Sequence, residues 1–179
     1  MILEEALNML MRHTMNLVVG QADYAIKSQQ KDAPRPSGPY GDVLFMHDRL
    51  MGWEEIDYSN RTDRNLDVRG RGIHEVMFSL GFYRDSAIDN ARRVHAGMFR
   101  ESVRGMFSTA QVGLARRSEV RQISEPLESG FEERAQFDIF LSVVGVDSDI
   151  VTCIESVDMN MEYQARGLVY NSQIRVNRT

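Results

Sequence analysis

The sequence predicts an α+β fold, a largely antiparallel twisted sheet flanked by an N-terminal helix and a central helix. Two kinds of apolar spacing carry that prediction. Residues 3–18 repeat at helical intervals, whereas Val76–Phe82 and Phe131–Val143 alternate with period two. A second helical stretch, from Ala87, stands between the two strand segments. At 179 residues the chain fits one domain. A chain of this size buries about 70% of its unfolded surface and needs no covalent staples. We take residues 1–179 as that domain, with an exposed loop at 59–72 and an extended tail at 167–179.

The first helix presents Leu3, Ala6, Leu7, Leu10, Met11, Thr14, Leu17 and Val18 on one face. Glu4 and Glu5 suit the positive end of its dipole, and Gly20 supplies a stop. A brief strand is expected around Tyr24 and Ile26. Pro34, Pro36 and Pro39 then fix an extended, stiff loop. Residues 40–58 predict a β-hairpin, with Val43–Met46 and Trp53–Tyr58 as arms and His47–Asp48 and Gly52 in the turn. The polar stretch 59–72, with four arginines, predicts the exposed loop.

Val76, Phe78, Leu80 and Phe82 mark a half-buried strand. Ser86 and Asp89 predict a capping box for the central helix. Ala87, Ile88, Ala91, Val94, His95 and Met98 form its apolar face, and Arg92, Arg93 and Arg100 lie on another. Gly105 is its expected end. Residues 114–122 read as a strand polar on both faces, as at a sheet edge or an interface. Phe131, Glu133, Ala135, Phe137, Ile139, Leu141 and Val143 share one side of the strongest strand. A further strand is expected at 150–163, and 168–176 reads as either a final strand or an ordered tail.

Composition narrows the function. The net charge is −5, which argues against a dedicated nucleic-acid binder. No apolar run reaches the ~18 residues of a membrane helix. The early residues carry two acids and no Lys or Arg, so they predict no signal peptide and a reducing, cytoplasmic site of synthesis. The single cysteine, Cys153, excludes an internal disulfide framework and reads as a buried small hydrophobe. Of the 21 basic residues all but Lys27 and Lys31 are arginine, the cation suited to bidentate and interfacial contacts.

No catalytic or metal-binding set emerges. His13, His47, His74 and His95 lack ligand spacing, and His47 and Asp48, as strand neighbours, point to opposite faces. Arg69-Gly70-Arg71-Gly72 lacks the third glycine and the helix of a dinucleotide fingerprint. The acid pairs Glu54/Glu55 and Glu132/Glu133 split across their strands. The expectation is a structural protein without cofactor or metal.

Three ordered blocks resemble a known family. They are Ala33-Pro34-Arg35-Pro36-Ser37-Gly38-Pro39-Tyr40; Phe78-Ser79-Leu80-Gly81-Phe82-Tyr83-Arg84, running into a helix with Ala91-Arg92-Arg93; and Phe131-Glu132-Glu133-Arg134-Ala135-Gln136-Phe137-Asp138-Ile139, leading to Ile154–Val157. In this order, across residues 3–160, they resemble the neck or tail terminator proteins of tailed bacteriophages. The resemblance implies a tail-terminator-like α/β module and a virion structural protein of the neck. It implies a ring, usually hexameric, that caps the head-proximal end of the tail, stops tube or sheath growth and meets the head connector. Genomic DNA would pass through the lumen without specific binding, and assembly would occur in the host cytoplasm. No catalytic residue is implied.

The blocks then become fold and interface elements, which places Pro34, Arg35, Pro36 and Tyr40 among the interface candidates. The basic clusters Arg92, Arg93 and Arg100, and Arg116, Arg117 and Arg121, join them as partners for acidic stretches at Glu54–Asp57 and Glu125–Glu133 on a neighbouring subunit or a tube or connector protein. Two other readings remain at this point. One is a different tail or neck component, such as a tail-completion or tube-like protein. The other is a small cytoplasmic hydrolase or ligand-binding domain using His47, Asp48 or His74.

Overall fold

A computed structural model describes residues 3–30, 34–60, 65–127, 130–152, 156–165 and 168–177. It is α+β. Helix α1 spans Leu3–Val19, β1 Ala25–Lys27, β2 Tyr40–Asn60 and β3 Asn65–Tyr83. Helices α2 (Ala87–Gly97) and α3 (Glu101–Thr109) follow. Strands β4 (Gly113–Arg117), β5 (Arg121–Gln122), β6 (Glu125–Leu127), β7 (Gly130–Glu132), β8 (Arg134–Thr152), β9 (Ser156–Ala165) and β10 (Leu168–Asn177) complete the order. Among the described residues no helix is long and apolar enough to cross a membrane.

The main sheet runs β1-β2-β3-β8-β4, with β5 also on β8. β1 pairs parallel with β2, whereas β4 and β5 run antiparallel to β8. Two antiparallel pairs, β6–β7 and β9–β10, stand as separate small sheets. Contacts group the chain into two compact units, residues 1–54 with 72–145 and residues 55–71 with 146–179. The first holds the helices and the hydrophobic core. The second holds the β9–β10 pair, in register from Leu168↔Ala165 to Asn177↔Ser156.

In the first unit the helices share one face of the sheet. Alternate residues of β3 (Val76, Phe78, Leu80, Phe82) and of β8 (Ala135, Phe137, Ile139, Leu141, Val143) are buried with Met11, Met15, Ala91 and Val94 of the helices. Phe82 stacks on Phe137 at 5.8 Å, and His95 meets the same Phe137 ring edge-on at 5.2 Å. Gly97 lets α2 approach α1, because a Cβ there would meet Val18. The opposite sheet face carries Glu75, Ser79, Asp138 and Phe140 in place of an apolar core.

Helix α1 is rotated from the expected face. Ala6 and Leu17 are exposed, and Asn8 and Met15 are buried instead. Asn8 Nδ2 donates to the Val43 carbonyl at 3.2 Å, and Met15 packs over Gly41, where a side chain would collide with it. Gly20 does end the helix, at φ 83°, its amide bonded to the Asn16 carbonyl.

Four other expectations are corrected. The hairpin over 40–58 is one strand, β2. Of its residues only Gly52 has positive φ, 88°, which makes an irregularity within a strand but not the two-residue positive-φ turn a tight hairpin uses. The exposed loop at 59–72 is largely strand, since β2 reaches Asn60 and β3 begins at Asn65; residues 61–64 lie outside the described residues. The central helix is two helices. α2 ends at Gly97, Arg100 is the extended residue before α3 (ψ 143°), and Gly105 lies inside α3. The strand expected over 114–122 is split into β4 and β5.

The strongest strand also starts differently. Glu133 separates β7 from β8, and Phe131 is 82% exposed instead of sharing the buried side. The strand expected at 150–163 is the end of β8 followed by β9, and Cys153 lies outside the described residues.

Candidate assembly surfaces

The first site is where the three sequence blocks converge. Arg84, at the end of the second block with φ 68°, donates to the carbonyls of Pro36 and, at 3.3 Å, of Gly38 in the first. Its amide donates to the Glu133 carbonyl of the third block at 2.8 Å. Its guanidinium lies 3.6 Å from Glu132 and 5.6 Å from the centre of the Tyr40 ring. Tyr40 stacks on Tyr83 at 4.7 Å with an interplanar angle of 11°. Arg134 closes the group, 2.5 Å from Glu132 and over the Tyr83 ring.

The chemistry of this clasp is that of a built, partly dry pocket. Burial raises the Asp42 carboxyl above its ordinary value, against bonds from Ser28, Tyr83 and Gly81 that lower it. Burial, reinforced by Asp42, pushes Tyr83 up to about 12. Pro34 and Arg35 are exposed on its rim and Pro36 is half-buried, whereas Tyr40 is 5% exposed and packs inside this subunit.

Glu133 has a second role that sequence reading missed. Ser86 sits at φ 64° and makes no side-chain cap. The expected capping box is therefore absent. Glu133 Oε1 instead accepts from the Ile88 amide at 3.0 Å and caps α2 from 45 residues away.

The second site is the open sheet face. Glu75, on β3, accepts from Arg49 at 3.3 Å and from Arg116 at 3.2 and 3.3 Å. These guanidiniums hold its carboxyl below the usual range, the Arg116 hydrogen bond contributing most. Arg116 also lies 3.5 Å from the centre of the Phe140 ring. On β8, the next strand of the sheet, Asp138 accepts from Ser79 and Arg121, both at 2.8 Å. Arginine stems thus cover the face opposite the one on which the described helices pack.

The third site is a groove of about 630 Å³ between α3 and the edge strand β4. Phe107, Val112 and Leu114 give it an apolar lining, and Arg104, Arg116 and Arg117 surround it. Arg117 donates to the His95 carbonyl and lies 4.2 Å from the Phe99 ring centre. Burial, and then Arg117, lower the His95 pKa.

The candidate arginines therefore separate. Arg116, Arg117 and Arg121 line the β4–β5 edge with partners in their own subunit. Arg92 and Arg93 are exposed on α2, Arg92 3.9 Å from Asp89. Arg100 is exposed in the α2–α3 junction and not on their helix. Of the acidic stretches, Glu54, Glu55 and Asp57 are exposed, whereas Glu132 and Glu133 are engaged in the clasp. The side chains of residues 125–130 lie outside the described residues.

His47 and Asp48 are neighbours within β2, the strand adjacency that argues against a dyad. Asp48 pairs with His74 at 2.8 Å, from the neighbouring strand. A Cβ at Gly145 would meet the His74 ring, so that glycine makes room for it. Among the described residues no three His, Cys, Asp or Glu side chains are grouped to hold a metal ion.

No curated protein matches the chain. A family model described as phage neck terminator protein matches residues 2–166, a span that takes in all three blocks of the clasp. The chain belongs to the phage neck terminator family.

Proposed function

We propose that the protein forms a closed ring, a hexamer, in the virion neck, where it caps the head-proximal end of the tail. In this role it stops tube or sheath growth and offers a surface to the head connector. Genomic DNA crosses the lumen without specific binding, in keeping with a chain of net charge −5. The family match carries the reading. The geometry supports it, because a closed ring needs two different surfaces on each subunit. This chain has an arginine-lined groove at β4 and a distinct exposed apolar run in β2, which includes Met46, Met51 and Trp53. Neither surface is a catalytic constellation, and the family is a structural one.

Native mass measured over a range of concentrations tests the proposal. The expected result is one closed species near six times 20.5 kDa, about 123 kDa. Open polymers that lengthen with concentration would overturn it in favour of a tube-like component. A monomer that also fails to bind the ends of isolated tails would overturn it outright.

A further inference from the structure

We propose that the segment Trp53–Tyr58 of β2 in one copy docks in the groove between α3 and β4 of the next copy, so that opposite ends of the sheet meet. This identifies the contact within the ring and rests on the ring reading.

The topology comes first. In the order β1-β2-β3-β8-β4 the two outer ends are unlike. At one end β1 pairs only with Gly41, Asp42 and Val43 of β2. Among the described residues the long remainder of β2 is then an edge, and Met51–Ser59 are exposed throughout. At the other end stands β4, whose pairing partner is β8. Edges of this kind are templates for pairing with another chain unless something covers them.

Surface chemistry selects the occupant. Trp53 is 97% exposed, and Ile56 and Tyr58 are 51% and 65% exposed. Such a run of apolar side chains marks an interaction site. The segment 53–58 carries three acids, Glu54, Glu55 and Asp57, and no base. The groove offers the opposite surface. Its lining includes Phe107 and Leu114, with Phe99, 61% exposed, beside Arg104, Arg116 and Arg117. Over residues 92–117 there are six arginines against one acid, Glu101. A bulky aromatic flanked by acids matches an apolar groove flanked by arginines, both in shape class and in sign. Because the two surfaces differ, each copy uses one toward either neighbour, and the contact is head-to-tail, as ring closure requires.

The test joins Trp53→Cys and Phe99→Cys in a Cys153→Ser background, so that the two introduced thiols are the only ones present. Trp53 and Phe99 are highly exposed in the subunit, so these two changes spare its packing, and the Cys153→Ser parent is checked for ring formation first. The native mass of the unsubstituted chain is measured alongside. The expected result on oxidation is a ladder of covalent multimers ending at the size of the ring, with neither single variant producing more than dimers. Rings that form without any such ladder would overturn the docking and leave the ring reading standing. An unsubstituted chain that forms no ring and also fails to bind the ends of isolated tails would remove both.

A charge swap gives a second readout. Glu55→Arg and Arg104→Glu should each shift the concentration for assembly upward by roughly tenfold, and the double variant should recover most of it. Additive loss in the double variant would overturn the assignment of these two charges to one contact.

Discussion

Within the first unit, the same three strands have two different fates. In their inner halves, Val43, Phe78, Leu80, Phe82, Phe137, Ile139 and Leu141 are fully buried. Farther along those strands, Leu50, Trp53, Ile73 and Val144 are between 38% and 97% exposed. Both stretches are apolar. The difference is cover, because α1 and α2 bring Met11, Met15, Ala91 and Val94 onto the inner half. Hydrophobic burial inside the subunit is therefore finished in one region and left undone in the other. The inner region is where the fold's stability resides, and the outer region is surface available to partners.

The comparison is easiest to break by truncating one aromatic from each region. Phe137→Ala removes a ring packed against Phe82 and His95 and should cost about 3–5 kcal/mol in denaturant unfolding. That is a large part of the roughly 5–15 kcal/mol a domain commands. Trp53→Ala should stay within about 0.5 kcal/mol of the parent when the subunit is measured unassembled. A Trp53→Ala loss near that of Phe137→Ala would mean that the outer region is already packed within the subunit.

A smaller effect sharpens the comparison between local and distant stabilisation of one helix. The α2 amide of Ile88 is bonded to Glu133, and Ser86 makes no cap. Glu133→Ala should therefore lower stability by about 1 kcal/mol. Ser86→Gly should be neutral or stabilising, because glycine accepts the positive φ that Ser86 holds. If Ser86→Gly were the more damaging of the two, the local capping box would be restored as the better account.

These particulars show what a single sequence displays. Periodicity located α1, the inner half of β3 and the inner half of β8, because each buries one face and so must alternate. It failed for β2, where both faces are exposed beyond His47 and polar and apolar residues carry no burial signal. It failed at the helix break as well, where Gly97 and the extended Arg100 end one helix and start another within a few residues. The arginines of β4 and β5 were visible as an edge cluster. Their partners Glu75 and Asp138 lie 41 and 17 residues away, and only the sheet brings them together. The convergence of the three blocks on Arg84 has the same cause, contacts spanning 46 and 48 residues.

The smallest expected effect is a difference in how two carboxylates respond to acid. Glu75 is held below its ordinary 4.5 by Arg116 and Arg49. Between its folded pKa and 4.5 the unfolded chain binds more protons, so stability rises with pH there. The contribution of Glu75 is present above 4.5 and is lost as pH falls through its folded value. Asp42 has the opposite sign. Burial raises it above 3.8, so the folded chain takes up the proton first and acidification through that window favours folding. Glu75→Gln should therefore flatten the acid limb of a stability-versus-pH curve, and Asp42→Asn should steepen it. The curve follows from denaturant midpoints taken from neutral pH to about pH 3, where both windows have been entered. A Glu75→Gln variant with an unchanged or steeper acid limb would mean that the two arginines do not favour its ionised form in solution. The open sheet face would then owe its order to the packing of Arg116 on Phe140 more than to charge.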